Sequence, residues 1–175
     1  FDPKTSQRTF RICISDYLTI VVWRPLLQRL ASEAPGLSYE FLQPSDELAQ
    51  QIDRGDIDLL LSPVEYLIPE HPSQVLCEET YVIAGWSEND LLDGPMSLAQ
   101  FRAAEHVAVR LGRINRSSFA ESQLRAMDIE RKTVIQATTF GIVPELLVGT
   151  RRIAIMHRRL AVHAALQDRE VGADA

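Results

Sequence analysis

The sequence predicts an α/β protein of two lobes with a cleft between them. Three observations carry that expectation: a strand–turn–helix unit recurs along the chain, its copies fall into two sets, and a long extended run separates the sets. Strands that alternate with helices form parallel sheets. Ligands of such sheets collect at the carboxyl ends of the strands, beside helix amino termini. The strand-to-helix turns are therefore where chemistry is expected, and their residues suit binding a small molecule rather than transforming one.

The clearest unit opens the fold. Phe10 to Ile14 reads as a strand, Ser15-Asp16 as its turn, and Leu18 to Ala34 as an amphipathic helix. Val22, Leu26 and Leu30 recur at four-residue spacing with Leu27, Ala31 and Ala34 beside them, the stripe of a core-facing helix. Pro25 removes a hydrogen bond from that helix, so either a kink or a regular start near Arg24 is expected. Pro35-Gly36 ends it. Leu37 to Leu42 is the second strand, Ser45 caps a helix with Asp46 and Glu47 in its first turn, and Gly55 ends that helix. Ile57 to Leu61 is the third strand, with Ser62-Pro63 at its carboxyl end.

The extended run from Val75 to Trp86 is the natural hinge, near Val82. Beyond it, Ser97-Leu98-Ala99-Gln100 is a capping-box signature opening a short helix. His106 to Leu111 is a strand and Gly112 to Arg116 a turn; Ser118 to Glu121 forms another capping box, starting a helix that runs to about Met127. Lys132 to Thr138 is a strand, Thr139 to Gly149 a helix containing Pro144, Arg152 to Met156 a strand, and Arg158 to Gln167 the last helix.

A single globule of 175 residues buries roughly 70% of its unfolded surface, enough for a real core. The net charge of −6 argues against gripping nucleic acid through this region, because phosphate binding needs a basic face. Arg151-Arg152 and Arg158-Arg159 form a local basic cluster that reads as a solvated lobe surface rather than a contact with DNA or a partner subunit. Cys13 and Cys77 lie far apart in different predicted strands and belong to no C-x-x-C pair, so both are expected as buried reduced thiols. No apolar run approaches the roughly 18 residues of a membrane span, and no membrane partner is expected.

Binding candidates follow from the strand-end rule. At the first turn, Ser15, Asp16, Tyr17 and Thr19 can meet a carboxylate or phenolate through backbone N–H groups and the two hydroxyls, with Asp16 accepting a ligand hydroxyl. The competing explanation is plain helix capping by Ser15 or Asp16. Ser62 and Pro63 end the third strand and face the same cleft, or form a mere turn. Arg110 and Arg113 flank Gly112 at a strand end, where an arginine clamps a carboxylate with two hydrogen bonds or stands solvated. Thr138, Thr139 and Phe140 end the next strand, where hydroxyls and a ring suit an aromatic ligand, against a helix cap and a core phenylalanine. His71, His106, His157 and His163 show no metal-ligand spacing, and there is no nucleophile elbow or P-loop. No cofactor, metal or catalytic residue is expected, and nothing nominates an enzyme.

Several phrases, in order, carry a resemblance. Arg8-Thr9-Phe10-Arg11-Ile12-Cys13-Ile14-Ser15-Asp16 looks like the start of the effector-binding domain of LysR-type transcriptional regulators. Gly55-Asp56-Ile57-Asp58-Leu59 resembles that family's helix-to-strand turn, and Met96 to Phe101 with Glu105-His106-Val107 resembles the opening of its second lobe. Arg110 to Arg113, Ile129 to Lys132 and Arg152-Ile153-Ala154 are similar to the branch of nodulation and aromatic-degradation regulators. The resemblance implies two Rossmann-like lobes joined by a hinge, a periplasmic-binding-protein-like fold of type 2, and a small-molecule inducer bound between them. It implies residues 1–8 as a linker from a missing DNA-binding domain, 9–83 as the first subdomain, 84–171 as the second, and 172–175 as a tail without the family's usual return segment. It further implies a cytoplasmic homodimer or homotetramer that meets DNA only through the missing helix-turn-helix. Pairing would be antiparallel, Leu18–Ala34 of one copy against Ser118–Met127 of another, with Trp23 and Leu27 as interface candidates, core burial explaining Leu27 equally well. A solute-binding protein of a transporter shares the architecture and is the alternative.

Overall fold

A computed structural model of the chain describes residues 2–44, 47–68, 71–111 and 116–171, and of 116, 117 and 166–171 the backbone alone. The chain divides into two compact units, Phe1–Leu76 and Cys77–Ala175.

The first unit holds a three-stranded parallel sheet in the order β2-β1-β3, made of β1 (Thr9–Cys13), β2 (Ser38–Leu42) and β3 (Leu59–Leu60). β3 is shorter than its apolar run predicts, because at its start the Asp58 side chain, not a β3 carbonyl, takes the Arg11 N–H. The Asp58 carboxylate accepts that N–H at 2.8 Å and pairs with the Arg8 guanidinium, while the Asp58 N–H donates to the Arg11 carbonyl at 2.8 Å. The Arg11 N–H is the main influence holding this carboxyl below the usual aspartate range.

After β1 the chain turns directly into helix, in three segments. α1 (Asp16–Leu18) runs into a π-helical stretch at Thr19–Trp23, and then into α2 (Arg24–Glu33) with Pro25 in its first turn. Pro25 has no N–H to give the Val21 carbonyl, and its ring would press on that oxygen in an α-helix. The wider turn, in which the Arg24 N–H reaches back to the Thr19 carbonyl, removes the conflict. Leu26, Leu27 and Leu30 pack on Ile12, Ile14 and Trp23 as the stripe predicts, whereas Ala31 is exposed. Trp23 is only 6% exposed and sits in this core, which corrects its expected place in an interface between copies. Its ring lies 5.6 Å from those of both Tyr39 and Phe41. Ser45 and Asp46 lie outside the described residues; α3 (Leu48–Asp53) follows with Glu47 at its cap, and no side chain caps it.

The second unit is a mixed sheet. β5 (Glu105–Leu111) pairs in parallel with β7 (Lys132–Ala137) and β8 (Ile153–His157), β4 (Tyr81–Gly85) runs antiparallel to β8, and β6 (Arg116–Ser117) runs antiparallel to β5. The repeat of strand and helix predicts only the parallel pairs. No crossover helix lies between the first unit and β4, so nothing imposes a parallel direction on this outer strand. Only Tyr81–Gly85 of the expected extended run is a strand. Ser97 and Gln100 close the predicted capping box of α4 (Leu98–Ala103). Ser118 caps α5 (Phe119–Ala126) by accepting the Glu121 N–H at 3.3 Å. α6 (Val143–Leu147) is much shorter than expected, since Pro144 suits a first turn and not an interior. α7 (Arg158–Val171) closes the described chain.

Phe101, Ala104, Leu124 and Ile153 centre the second core. Cys13 is buried, which pushes its thiol up to about 11, but Cys77 is exposed, a correction to the expected pair of buried thiols. Cys77 lies in a stretch that joins no sheet, so its strand-like composition buries nothing.

Candidate functional site

In the first unit the parallel register sets Cys13 beside Leu42 and Leu60, so the turns after β1 and β3 leave the sheet at one edge. Ser15 and Ser62 each stand two residues past those positions, and both are half-buried. Ser15 does cap the helix: its hydroxyl accepts the Leu18 N–H at 3.4 Å, and its carbonyl takes the Thr19 N–H at 3.0 Å and the Thr19 hydroxyl at 3.1 Å. Capping does not exhaust these groups. An accepting serine hydroxyl keeps its proton to donate, and a donating threonine hydroxyl keeps its lone pairs to accept. Asp16 is half-buried, Tyr17 is buried, and Pro63 is exposed at the start of a 3₁₀ turn over Val64–Tyr66.

In the second unit the paired positions Val109 and Ala137 place Arg110 level with Thr138, and Val107 with Ala154 places Arg110 level with His157 three residues on. Arg110 is exposed, and among the described residues no carboxylate forms an ion pair with it. Gly112 and Arg113 lie outside the described residues. Thr138 is exposed, and Thr139 and Phe140 are half-buried. Because α6 starts only at Val143, with Ile142 as its cap and no side chain capping it, neither threonine is spent as a helix cap. The Phe140 ring meets the His157 imidazole edge to face at 4.8 Å.

Two residues of this edge escape the strand-end reading of the sequence. His157 ends β8, and Tyr81 is registered directly across from it at the start of β4. His157 was legible in principle: a strand that passes into a helix at Arg158 is the same junction that nominates Ser15. Tyr81 was not, because nothing in the sequence joins it to a strand 76 residues away.

The basic cluster is balanced by carboxylates. Arg151 pairs with Asp90 at 2.9 Å and Arg159 with Glu79 at 3.5 Å, while Arg152 stands 4.0 Å from Glu105. Among the described residues, no group of three His, Cys, Asp or Glu side chains is placed to hold a metal ion, and no helix is long and apolar enough to cross a membrane.

A type 2 periplasmic-binding-like fold whose strand ends carry hydroxyls, an arginine and rings defines a class of ligand-responsive domain. The chain belongs to the LysR substrate binding domain family, whose model matches residues 3–173. It is 36% identical over 165 residues to nodulation protein D 3 of Rhizobium meliloti (strain 1021), covering 94% of this chain and 53% of that protein. It is 37% identical over 163 residues to nodulation protein D 1 of Bradyrhizobium sp. (strain NC92), covering 93% and 52%. The chain thus spans about half the length of these curated relatives. The crystal structure of the regulatory domain of MexT, a transcriptional activator in Pseudomonas aeruginosa, superposes with a TM-score of 0.74 at 25% identity, covering 93% of this chain and 78% of that one. Full-length CbnR complexed with its target DNA superposes with a TM-score of 0.63 at 18% identity, over 90% of this chain and 56% of that one, which shows the shared fold. These matches favour the regulator family over a transporter's solute-binding protein.

Proposed function

We propose that this chain is the inducer-sensing part of a cytoplasmic LysR-type transcriptional regulator and carries no catalytic step. The observation that supports it most is the family match across residues 3–173, joined to polar side chains at the carboxyl ends of the parallel strands of each unit. The effector is a small aromatic or carboxylate compound. In the first unit Ser15, Asp16, Thr19, Ser62 and Pro63 are the effector-contact candidates; in the second they are Arg110, Thr138, Thr139 and Phe140, together with Gly112 and Arg113, which lie outside the described residues. Tyr17 helps by fixing that first turn from its buried position. Effector binding biases one of two conformations of the regulator, and only a difference in affinity between the two shifts the population. DNA is met through a part of the regulator outside this chain. Copies pair through α2 and α5 into a dimer or tetramer, without Trp23.

Thermal-shift screening of aromatic acids and flavonoids tests this directly, since a ligand at 100 times its Kd raises stability by about 2.7 kcal/mol. For a compound that stabilises the chain, calorimetry should show Arg110→Ala and Thr139→Ala weakening binding about tenfold with the fold intact. Unchanged affinity in both variants removes these positions from the site.

A further inference from the structure

His106 has no exposed surface and sits on β5, paired with Thr133 of β7 on one side and with Ile153 of β8 on the other. Neighbouring strands fix its backbone, so the elements that cover its ring are the ones able to give way. α4 offers the Phe101 carbonyl, 2.7 Å from Nε2, and the Phe101 ring edge to face at 4.5 Å. Against Nδ1, at 3.3 Å, stands the guanidinium of Arg131, which lies between α5 and β7. That guanidinium is itself buried, its Nε has no hydrogen-bond partner, and its other arm pairs with the Glu121 carboxylate in the first turn of α5. The charges at the amino ends of these strands answer one another: Lys132 pairs with Glu105 at 2.8 Å, and Arg152 stands 4.0 Å from Glu105. A line of three polar side chains therefore runs from the sheet, through Arg131, to α5.

We propose that His106, Arg131 and Glu121 form an acid-sensitive latch, which holds α5 on the sheet and opens when His106 takes a proton. With Nδ1 accepting, the imidazole is neutral and Arg131 is held at both ends. A proton on Nδ1 turns that acceptor into a donor and sets two buried cations side by side. The two sides of the ring then respond differently. Nε2–H bonds the Phe101 carbonyl more strongly from an imidazolium, so α4 stays. Arg131 is repelled, and its withdrawal breaks the contact with Glu121, so α5 yields. This helix is eight residues long and its buried residues are Ala120 and Leu124; so short a helix depends on what it packs against. Burial above all keeps the His106 pKa below the usual histidine value, so the open form takes the proton first and acid favours it. Since copies are proposed to pair through α2 and α5, the latch gives the sensor a pH input; that consequence rests on the sensor reading, and the latch itself does not.

Hydrogen exchange of the whole chain tests it, with each amide rate divided by its intrinsic value at the same pH. Below about pH 6.5 the opening of α5 should increase about tenfold per pH unit, down to about pH 5, while the amides of β8 hold steady. His106→Gln keeps a donor for the Phe101 carbonyl and an acceptor for Arg131 but does not titrate. It should keep α5 opening constant within about threefold over the same interval. Glu121→Gln removes the charge at the far end of the latch and should open α5 about tenfold already at neutral pH. If His106→Gln does not fold, the wild type and Glu121→Gln decide. Any of four results overturns the latch: α5 opening that ignores pH, a rise in β8 equal to that in α5, a rise that persists in His106→Gln, or Glu121→Gln matching the wild type at neutral pH. Each leaves standing the sensor reading, which the ligand screen tests.

Discussion

His106 shows how much one side chain can settle. It is fully buried, its Nε2 lies 2.7 Å from the Phe101 carbonyl, and its Nδ1 lies 3.3 Å from an Arg131 guanidinium nitrogen. A guanidinium only donates, so Nδ1 accepts, Nε2 carries the proton, and the ring is neutral. Arg131 is in turn buried against Glu121, and its burial lowers its own pKa to about 10. Burial is the chief cause depressing the His106 pKa and the Arg131 charge adds to it, while the Phe101 carbonyl opposes both. The unfolded chain therefore takes up a proton here, near pH 6.5, before the folded chain does. Stability from this group is whole above about pH 6.5 and is lost as the pH falls from there through the lower folded value. Urea midpoints should decline across that interval more steeply in the wild type than in His106→Phe; parallel profiles would show that His106 does not couple stability to pH.

At the scale of elements, two local conflicts shape the fold. Pro25 interrupts the first helix, and Thr19–Trp23 answers with a π turn. Pro25→Ala supplies the missing N–H and should let the ladder close in α register, seen as slow hydrogen exchange of the amide at position 25; fast exchange there would mean the wide turn has another cause. Gly85 ends β4 where a Cβ would stand 2.7 Å from Leu92 Cδ1, 3.1 Å from Asn89 Nδ2 and 3.3 Å from the Arg152 carbonyl. Buried Asn89 donates to that same carbonyl at 3.3 Å and accepts the Leu91 N–H at 3.1 Å, so the site has little room to yield. Gly85→Ala should destabilise the second unit by about 1–3 kcal/mol in urea unfolding, and an unchanged midpoint would show the turn to be slack.

For the molecule as a whole, charge sets a further expectation. The chain carries a net charge of −6, and three arginines of its basic cluster, Arg151, Arg152 and Arg159, face carboxylates. Duplex DNA releases counterions only to a protein that brings unpaired cations. The chain alone should therefore fail to retard duplex DNA in a gel at about 0.15 M salt, where the Debye length is about 8 Å. Retardation that fades with added salt would place a phosphate contact in this region after all.

Periodicity and capping residues were enough to determine the alternation of strands and helices, because they act through neighbours in the chain. The stripe of Leu26 and Leu30, the capping box at Ser97 and the serine cap at Ser118 are such local signals. The phrases from Arg8 to Asp16 and from Arg110 to Arg113 carried the family as well. Tertiary structure decided what depends on distant partners. It shortened β3 through Asp58 and Arg11, turned β4 antiparallel, buried Trp23 and set Tyr81 against His157. Each of these outcomes rests on a contact between residues many positions apart, and sequence spacing holds no measure of that distance until the sheet register is fixed.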